Sequence, residues 1–395
     1  MAASARHGQL RPDDPDPGVG AFCVLGDGME TFELGLVFST TGPYAALGQA
    51  ARVGAELAIA DLEHEGAARI LPVHREPGGR PEDYEAMTAE ILRGGVSHLV
   101  GAITSWSRKD MIPVLERFGG MLWYPCPYEG FESNDHVVYM GAAPNHHIVP
   151  LLDRVLSPEI RRAYLLGSNY VWGWETLRIA RDRLITAGVE IVGERYLPMG
   201  HTDCHRALAE IVDMGADMVV NSLIGPSNVA FMQGLPRDAR PVILSCNQTE
   251  ADLDALGSAG EGLIAAGTFF EARGPADFVE RAARAAPNGR CSGFLATTYA
   301  SVRVLAEAVR RAGTTAPKPV FDAACAGPHD TVLGLLTIDP VTRHAALTPH
   351  IATVRDGRFE VGSSATGPVA ADPYLINLPP VSVRAQEAPP LRIVK

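Results

Sequence analysis

The stretch Trp123-Tyr124-Pro125-Cys126-Pro127-Tyr128-Glu129-Gly130-Phe131-Glu132 concentrates more chemistry than any other part of the chain. Two prolines one residue apart fix φ near −65° and remove two backbone donors. Each also drives its predecessor toward an extended conformation. The result is a stiff, aromatic, donor-poor loop after the apolar run Gly119-Gly120-Met121-Leu122. Such a loop suits one wall of a small-molecule pocket, since pockets of this kind are mostly apolar with a few fixed polar groups. The plain alternative is an ordinary strand-to-helix connection with surface aromatics. Cys126 is also a candidate nucleophile, although a reactive cysteine needs a base beside it. His201-Thr202-Asp203-Cys204-His205 has metal-like composition, but a polar loop entering a helix explains it as well, and no partner cluster with metal spacing accompanies it. Pro144-Asn145-His146-His147 reads as a hinge or lobe crossover rather than a site.

The elements that must position these residues follow a repeating order of strand, turn and helix. Apolar runs at 34–38, 70–73, 98–103 and 121–124 alternate with helical stripes such as Leu47, Ala51, Gly54, Ala58 and Leu62. Pro81 stands where a helix should begin, and Gly66 where one should end. The scheme restarts with strands at 163–167, 189–192, 218–220 and 242–244. Alternation of this kind predicts right-handed βαβ units and parallel sheets. The fold class expected is therefore α/β, with two doubly wound lobes joined by a multi-segment hinge. A long helix is expected over 294–312, then strands at 332–338 and 351–354, with Arg355-Asp356-Gly357-Arg358 as a hairpin turn adding antiparallel strands. The expected division is a disordered leader at 1–30, one lobe from 31–144 plus about 272–328, a second from 145–271 plus about 329–378, and a loose tail at 379–395.

In open parallel sheets ligands bind beyond the carboxyl ends of strands. Those positions hold Ser39 to Tyr44, then Ile103, Thr104, Ser105 and Trp106, then Tyr124 to Glu129. In the second half they hold Gly167 to Trp172, Asn221 to Gly225, and Ser245 to Thr249. These loops are rich in hydroxyls, amides and aromatics and poor in charge, which suits a small neutral polar ligand. Any one hydroxyl among them is more often a helix cap than a ligand contact. Only their recurrence favours a pocket.

Composition narrows the class. The chain of 395 residues is 46% hydrophobic and 20% charged, with a formal net charge of −12. An acidic chain without a basic run lacks the electrostatic footprint for direct nucleic-acid binding. No apolar run reaches the length of a membrane span. The residues around Arg11 to Pro17 interrupt what a secretory signal needs, so the expected location is cytoplasmic. Six scattered cysteines without a C-x-x-C pair agree with a reducing compartment. No motif for phosphate cradling, zinc catalysis or a serine elbow is present, and neither cofactor nor metal is expected.

The run Tyr124-Pro125-x-Pro127-Tyr128-Glu129-Gly130-Phe131-Glu132, in a chain of this two-lobed order, resembles the type I periplasmic-binding-protein family, and within it the amide sensors that regulate aliphatic amidase expression. Weaker matches are Glu76-Pro77-Gly78-Gly79, Ser105-x-Ser107-Arg108-Lys109, Ala143-Pro144-Asn145, Gly167-Ser168-x-Tyr170 and Asp372-Pro373-Tyr374. The resemblance runs from about residue 34 to 374. It implies a cleft closing on a short-chain aliphatic amide, with Ser105, Tyr124, Pro127 and Tyr170 at contact positions. Trp172 falls where those sensors carry a tyrosine, Asn247 falls near a threonine position, and Ile103, next to Thr104, replaces another pocket tyrosine. Lost tyrosine hydroxyls change donors and shape, so the resemblance implies a different or larger amide. It also implies an RNA-binding antitermination regulator as partner, and homo-oligomers are compatible with it. Three functions remain in competition here: a cytoplasmic sensor sequestering that regulator, a substrate-binding component of an ABC transporter for amides or urea, and an amide-processing enzyme using Cys126.

Overall fold

The computed structural model describes residues 23–24, 30–236, 241–378 and 380. The first half builds β1 (Cys23–Val24), β2 (Glu30–Val37), α1 (Ala45–His64), β3 (Arg69–Arg75), α2 (Pro81–Arg93), β4 (His98–Gly101), α3 (Ser105–Phe118), β5 (Met121–Tyr124) and β6 (Val137–Tyr139). The parallel strands lie in the order β3-β2-β4-β5-β6, with β1 antiparallel beside the start of β2. A short 3-10 turn and α4 (Ile148–Val155) lead to the second sheet. There follow β7 (Arg162–Ser168), α5 (Val171–Thr186), β8 (Glu190–Leu197), α6 (His205–Asp213), β9 (Met218–Ser222), α7 (Gly225–Gly234), β10 (Val242–Ser245), α8 (Glu250–Leu256) and β11 (Ile264–Gly267). Their order is β8-β7-β9-β10-β11.

Both sheets thus repeat one doubly wound order, in which the second strand lies outside the first and the third lies on its other side. Each has a switch point where the order reverses, between β2 and β4 and between β7 and β9. Loops at such points splay apart and leave a crevice at the carboxyl ends of the strands. The central strands are buried on both faces, as in Met218 to Ser222, which accounts for their continuous apolar character.

The last third completes both lobes. α9 (Ala276–Ala285), α10 (Gly293–Ala312) and α11 (Pro317–Cys325) return to the first lobe, where α10 packs along α1. β14 (His350–Arg355) extends the second sheet antiparallel to β11, and β15 (Arg358–Ser364) pairs antiparallel with β14. Their turn has positive φ at both Asp356 (49°) and Gly357 (70°), the geometry a two-residue Asp-Gly hairpin needs. The chain therefore crosses between sheets three times, at 141–147, at 268–275 and after α11.

Several expectations need correction. The strand expected over 332–338 is instead a separate hairpin of β12 (His329–Thr331) and β13 (Gly334–Leu336), because Gly334 at φ 87° turns the chain. The segment near 343–345, expected in the second lobe, lies against the first: Tyr139 N donates to Arg343 O and Ala345 N donates to Tyr139 O. Cys23 and Val24, expected in a disordered leader, pair with β2; the rest of that stretch up to residue 29 and most of the expected tail lie outside the described residues.

The α1–α10 contact is unusually close. A Cβ built on Gly54 would lie 2.2 Å from the Leu295 carbonyl oxygen. Gly54→Ala should therefore destabilise the chain by about 1–3 kcal/mol, although alanine in a helix interior ordinarily gains close to 1 kcal/mol over glycine. Urea unfolding of the two proteins measures the sign.

Candidate functional site

The carboxyl ends of both sheets meet around a small, partly open cavity. β4 ends at Gly101, and Ala102 turns the chain in the left-handed region at φ 57°. That turn delivers Ile103, Thr104 and Ser105 into α3. Thr104 is the helix cap, accepting from Ser107 N at 3.2 Å. β5 runs into Pro127. From the second lobe, Tyr170 stands at the extended cap position of α5, one residue before its first helical turn, which carries Trp172. Asn247 follows β10. Ile103, Thr104, Ser105, Pro127, Tyr170, Trp172 and Asn247 all line this cavity, with Leu47, Ile224 and Phe294. It gives about 20 Å³ to the centre of a water-sized sphere, where one water needs roughly 10–15 Å³. The room suits a head group of a few heavy atoms.

Tyr124 departs from expectation. It is fully buried, does not line the cavity, and its hydroxyl reaches the Ile103 carbonyl at 3.4 Å. It lies beneath the floor because the guanidinium carbon of Arg108 sits 4.8 Å from its ring centre and holds it there. Leu47, Ile224 and Phe294 were not read as site residues. Ile224 alone carried a signal, its place after a buried strand; Phe294 reaches the site from α10, far away in sequence.

Under the cavity lies a buried charge cluster. Arg108, with no exposed side chain, donates to Glu132 at 2.7 Å and to Glu129 at 3.0 Å. Lys109 reaches Glu132 at 2.7 Å and Glu129 at 3.8 Å. Burial alone would raise the Glu132 carboxyl, but Arg108 and Lys109 outweigh it and pull it down to about 2. Two cations face two anions, and Arg108 Nη1 is left buried without a hydrogen-bond partner. The same loop is pinned by Tyr128, whose hydroxyl bonds His344, and by Tyr139, stacked on His344 at 4.2 Å.

Two hydrogen-bonding facts decide what the cavity can hold. Ser105 donates its hydroxyl proton to Glu129. The carboxylate of an ion pair can only accept, so Ser105 Oγ has only lone pairs left to offer. The indole N–H of Trp172, another lining residue, is buried without a hydrogen-bond partner. Its ring packs at 5.3 Å on His147, which is itself fixed by donating to Tyr128 O at 3.0 Å and accepting from Ile148 N at 2.7 Å. Asn247 is also pinned, donating to Leu223 O at 2.9 Å and accepting from Ser245 Oγ at 3.2 Å. Burial, then the neighbouring Glu129, pushes the Tyr170 phenol well above its ordinary range, so it stays a neutral donor.

This arrangement fits the comparisons with known proteins. The model of the periplasmic binding protein domain matches residues 32–380. The chain belongs to the periplasmic binding protein family. It is 21% identical over 336 residues to the leucine-, isoleucine-, valine-, threonine- and alanine-binding protein of Pseudomonas aeruginosa, covering 81% of this chain and 89% of that protein. A Leu/Ile/Val-binding protein homolog of Brucella melitensis is 22% identical, covering 77% and 86%. Among solved structures, an ABC-transporter solute-binding protein from Rhodopseudomonas palustris in complex with 3,4-dihydroxybenzoic acid superposes with a TM-score of 0.78 at 18% identity, over 86% of this chain and 98% of that one. A branched-chain amino acid transporter binding protein from Streptococcus pneumoniae, in complex with isoleucine, gives 0.73 at 18% identity, over 86% and 100%. These relatives are ligand-binding proteins and not enzymes.

As in a binding protein of this family, the other candidate centres serve structure. Cys126 donates its thiol to Ala102 O at 3.4 Å, and burial pushes that thiol far up, the opposite of an activated nucleophile. Asp203 accepts from His205 N at 3.2 Å at the start of α6, and no group of three His, Cys, Asp or Glu side chains that could hold a metal occurs among the described residues. No helix of the described residues is long and apolar enough to cross a membrane. Pro144 to His147 form the first crossing between the sheets.

The lobes are shut on each other. Gly225, opening α7 at φ 58°, approaches the first lobe so closely that a Cβ there would lie 2.0 Å from the Pro43 carbonyl oxygen. Gly225→Ala should cost about 1–2 kcal/mol of fold stability from the left-handed backbone and, separately, block closure. Small-angle scattering should then show the wild type compacting with saturating acetamide and the variant not; equal compaction would mean that closure does not pass through this contact.

A second outcome concerns Glu250, fully buried on α8. One carboxyl oxygen accepts from Glu271 N at 2.8 Å, while the other has no partner. Burial pushes its carboxyl up to about 8. The folded chain therefore holds a proton that the unfolded chain releases near 4.5. The stability linked to this proton is whole below that value and is lost as pH rises through 8. Glu250→Gln should flatten this loss, by on the order of 2–4 kcal/mol between pH 5 and pH 9. Parallel urea titrations at the two pH values check it.

Proposed function

We propose that this chain binds a small neutral solute carrying an N–H donor beside a C=O acceptor, an amide or urea, and presents it to an ABC-type importer. The observation that carries the ligand is the polarity of the cavity. Ser105 Oγ, its proton engaged by Glu129, needs a donor from the ligand. Trp172 Nε1, buried and unpartnered, needs an acceptor. A primary amide supplies both at opposite ends of one planar group. A carboxylate supplies only acceptors, so it leaves the Ser105 lone pairs without a donor and sets its charge beside Glu129. Support for the importer comes from the solved neighbours described as solute-binding proteins of ABC transporters.

A second reading keeps the ligand and changes the partner. The motif from Tyr124 to Glu132 resembles the sensors of amidase expression, and its Glu129 and Glu132 form the Arg108 cluster that sets Ser105. In that reading the protein is cytoplasmic and releases an RNA-binding antiterminator on closure. Release on amide binding requires, by linkage, that the partner weaken amide binding by the same factor. Fractionation of native cells and titration of amide with and without the candidate partner separate the two readings.

Calorimetry with acetamide and acetate tests the ligand class. Acetamide should bind at least tenfold more tightly, matching the cost of about 1–3 kcal/mol for an unsatisfied buried group. Glu129→Gln should narrow that preference, since a glutamine can donate to Ser105 and free its proton for an anion. Acetate binding as tightly as acetamide in the wild type would remove the proposal.

A further inference from the structure

Beside the head-group cavity lies a second, partly open space. It shares Pro127, Asn247 and Phe294 with the first and gives about 40 Å³ on the same measure. Its walls include Pro125, Cys246, Ala266, Phe269 and Thr297, drawn from both lobes and from the first two crossings between them. His147 and Gln248, two of its polar neighbours, are already engaged. His147 uses both ring nitrogens. Gln248 donates to Leu223 O at 3.2 Å and accepts from Asn228 at 2.7 Å. Burial pushes the Cys246 thiol up to about 12, so it stays neutral. Cores close-packed like organic crystals leave few voids larger than a water, and this one is uncharged, mostly apolar and continuous with the cleft.

We propose that this compartment is a tail subsite: the ligand is an amide whose alkyl chain of a few carbons passes the gate formed by Pro127, Asn247 and Phe294 and ends against Phe269 and Thr297. The inference rests on the amide reading for the head group, while the tail subsite is tested independently of it. The head stays between Ser105 and Trp172. The tail gains by leaving water, about fourfold in affinity for each buried methylene.

The experiment is calorimetry on acetamide, propionamide and butyramide, with acetate and butyrate as a parallel series, for the wild type, Thr297→Leu and Thr268→Leu. Both substituted residues line the second compartment and not the first. In the wild type, affinity should rise about fourfold from each amide to the next. At least one of the variants should bind acetamide as the wild type does and lose the gain for butyramide. Wild-type affinity independent of chain length, or variants that weaken acetamide as much as butyramide, overturns the subsite. A chain-length gain seen equally with the acids supports the subsite and removes the amide head group instead.

Discussion

A guanidinium buried to the last atom is the constraint on which the site rests. An ion of this kind is tolerated only when its charge and hydrogen bonds are met inside the protein. Arg108 meets Glu129 and Glu132 through Nε and Nη2 and lies against the rings of Tyr124 and Tyr128, while Nη1 stays buried without a hydrogen-bond partner. Tyr124 ends β5 and the other three partners come from the loop that follows it, so that loop cannot move without uncovering a charge. The arginine also stands on the first turn of α3, three residues after Ser105. The cluster thus fixes Ser105 twice, through the helix and through the bond from its hydroxyl to Glu129. Pairing of charge below the floor settles the direction of a hydrogen bond above it.

That two-step logic shows how far the residues alone could be read. The alternation of strands and helices, the helix starting at Pro81 and the Asp-Gly hairpin were legible because local chemistry sets them. So were the loops that end on Ser105, Pro127, Tyr170, Trp172 and Asn247, since ligands in doubly wound sheets lie where strands end. The strands Val137–Tyr139 and Ile264–Gly267 were not legible: three or four residues, one run ending in glycine, carry too little pattern. Tyr124 was misread as a wall for a related reason. Its place beneath the floor is imposed by Arg108, whose guanidinium arrives from α3 and not from its own strand. Phe294 was missed because its approach depends on α10 packing against α1, a contact between segments more than two hundred residues apart.

Backbone geometry marks the same region. Ala102 and Phe131 both hold positive φ without being glycine, at 57° and 58°. Residues in sparsely populated conformations persist when the surroundings over-determine them. Ala102 is clamped between the end of β4 and the thiol of Cys126. Phe131 is held by its N–H to Pro373 O at 2.8 Å and by Arg178 of the second lobe, 4.6 Å from its ring. One strained residue aims the floor of the cavity, and the other meets the opposite lobe at its rim.

Closure and recognition then become one event. Ser105 belongs to the first lobe and Trp172 to the second; in the amide reading one small solute between them gives Ser105 Oγ a donor and Trp172 Nε1 an acceptor. A ligand shifts an equilibrium only by its differential affinity for the two states. A solute that satisfies Trp172 alone gains the same hydrogen bond with the cleft open or shut, so it occupies one lobe without drawing the other in. A solute with a donor on one side and an acceptor on the other realises its second bond only when the lobes meet, and that second bond is the part of its binding energy that closes the cleft. In the amide reading proposed above, the hydrogen-bond direction set by Glu129 selects the ligand and, through the same atom, determines which bound ligands shut the cleft.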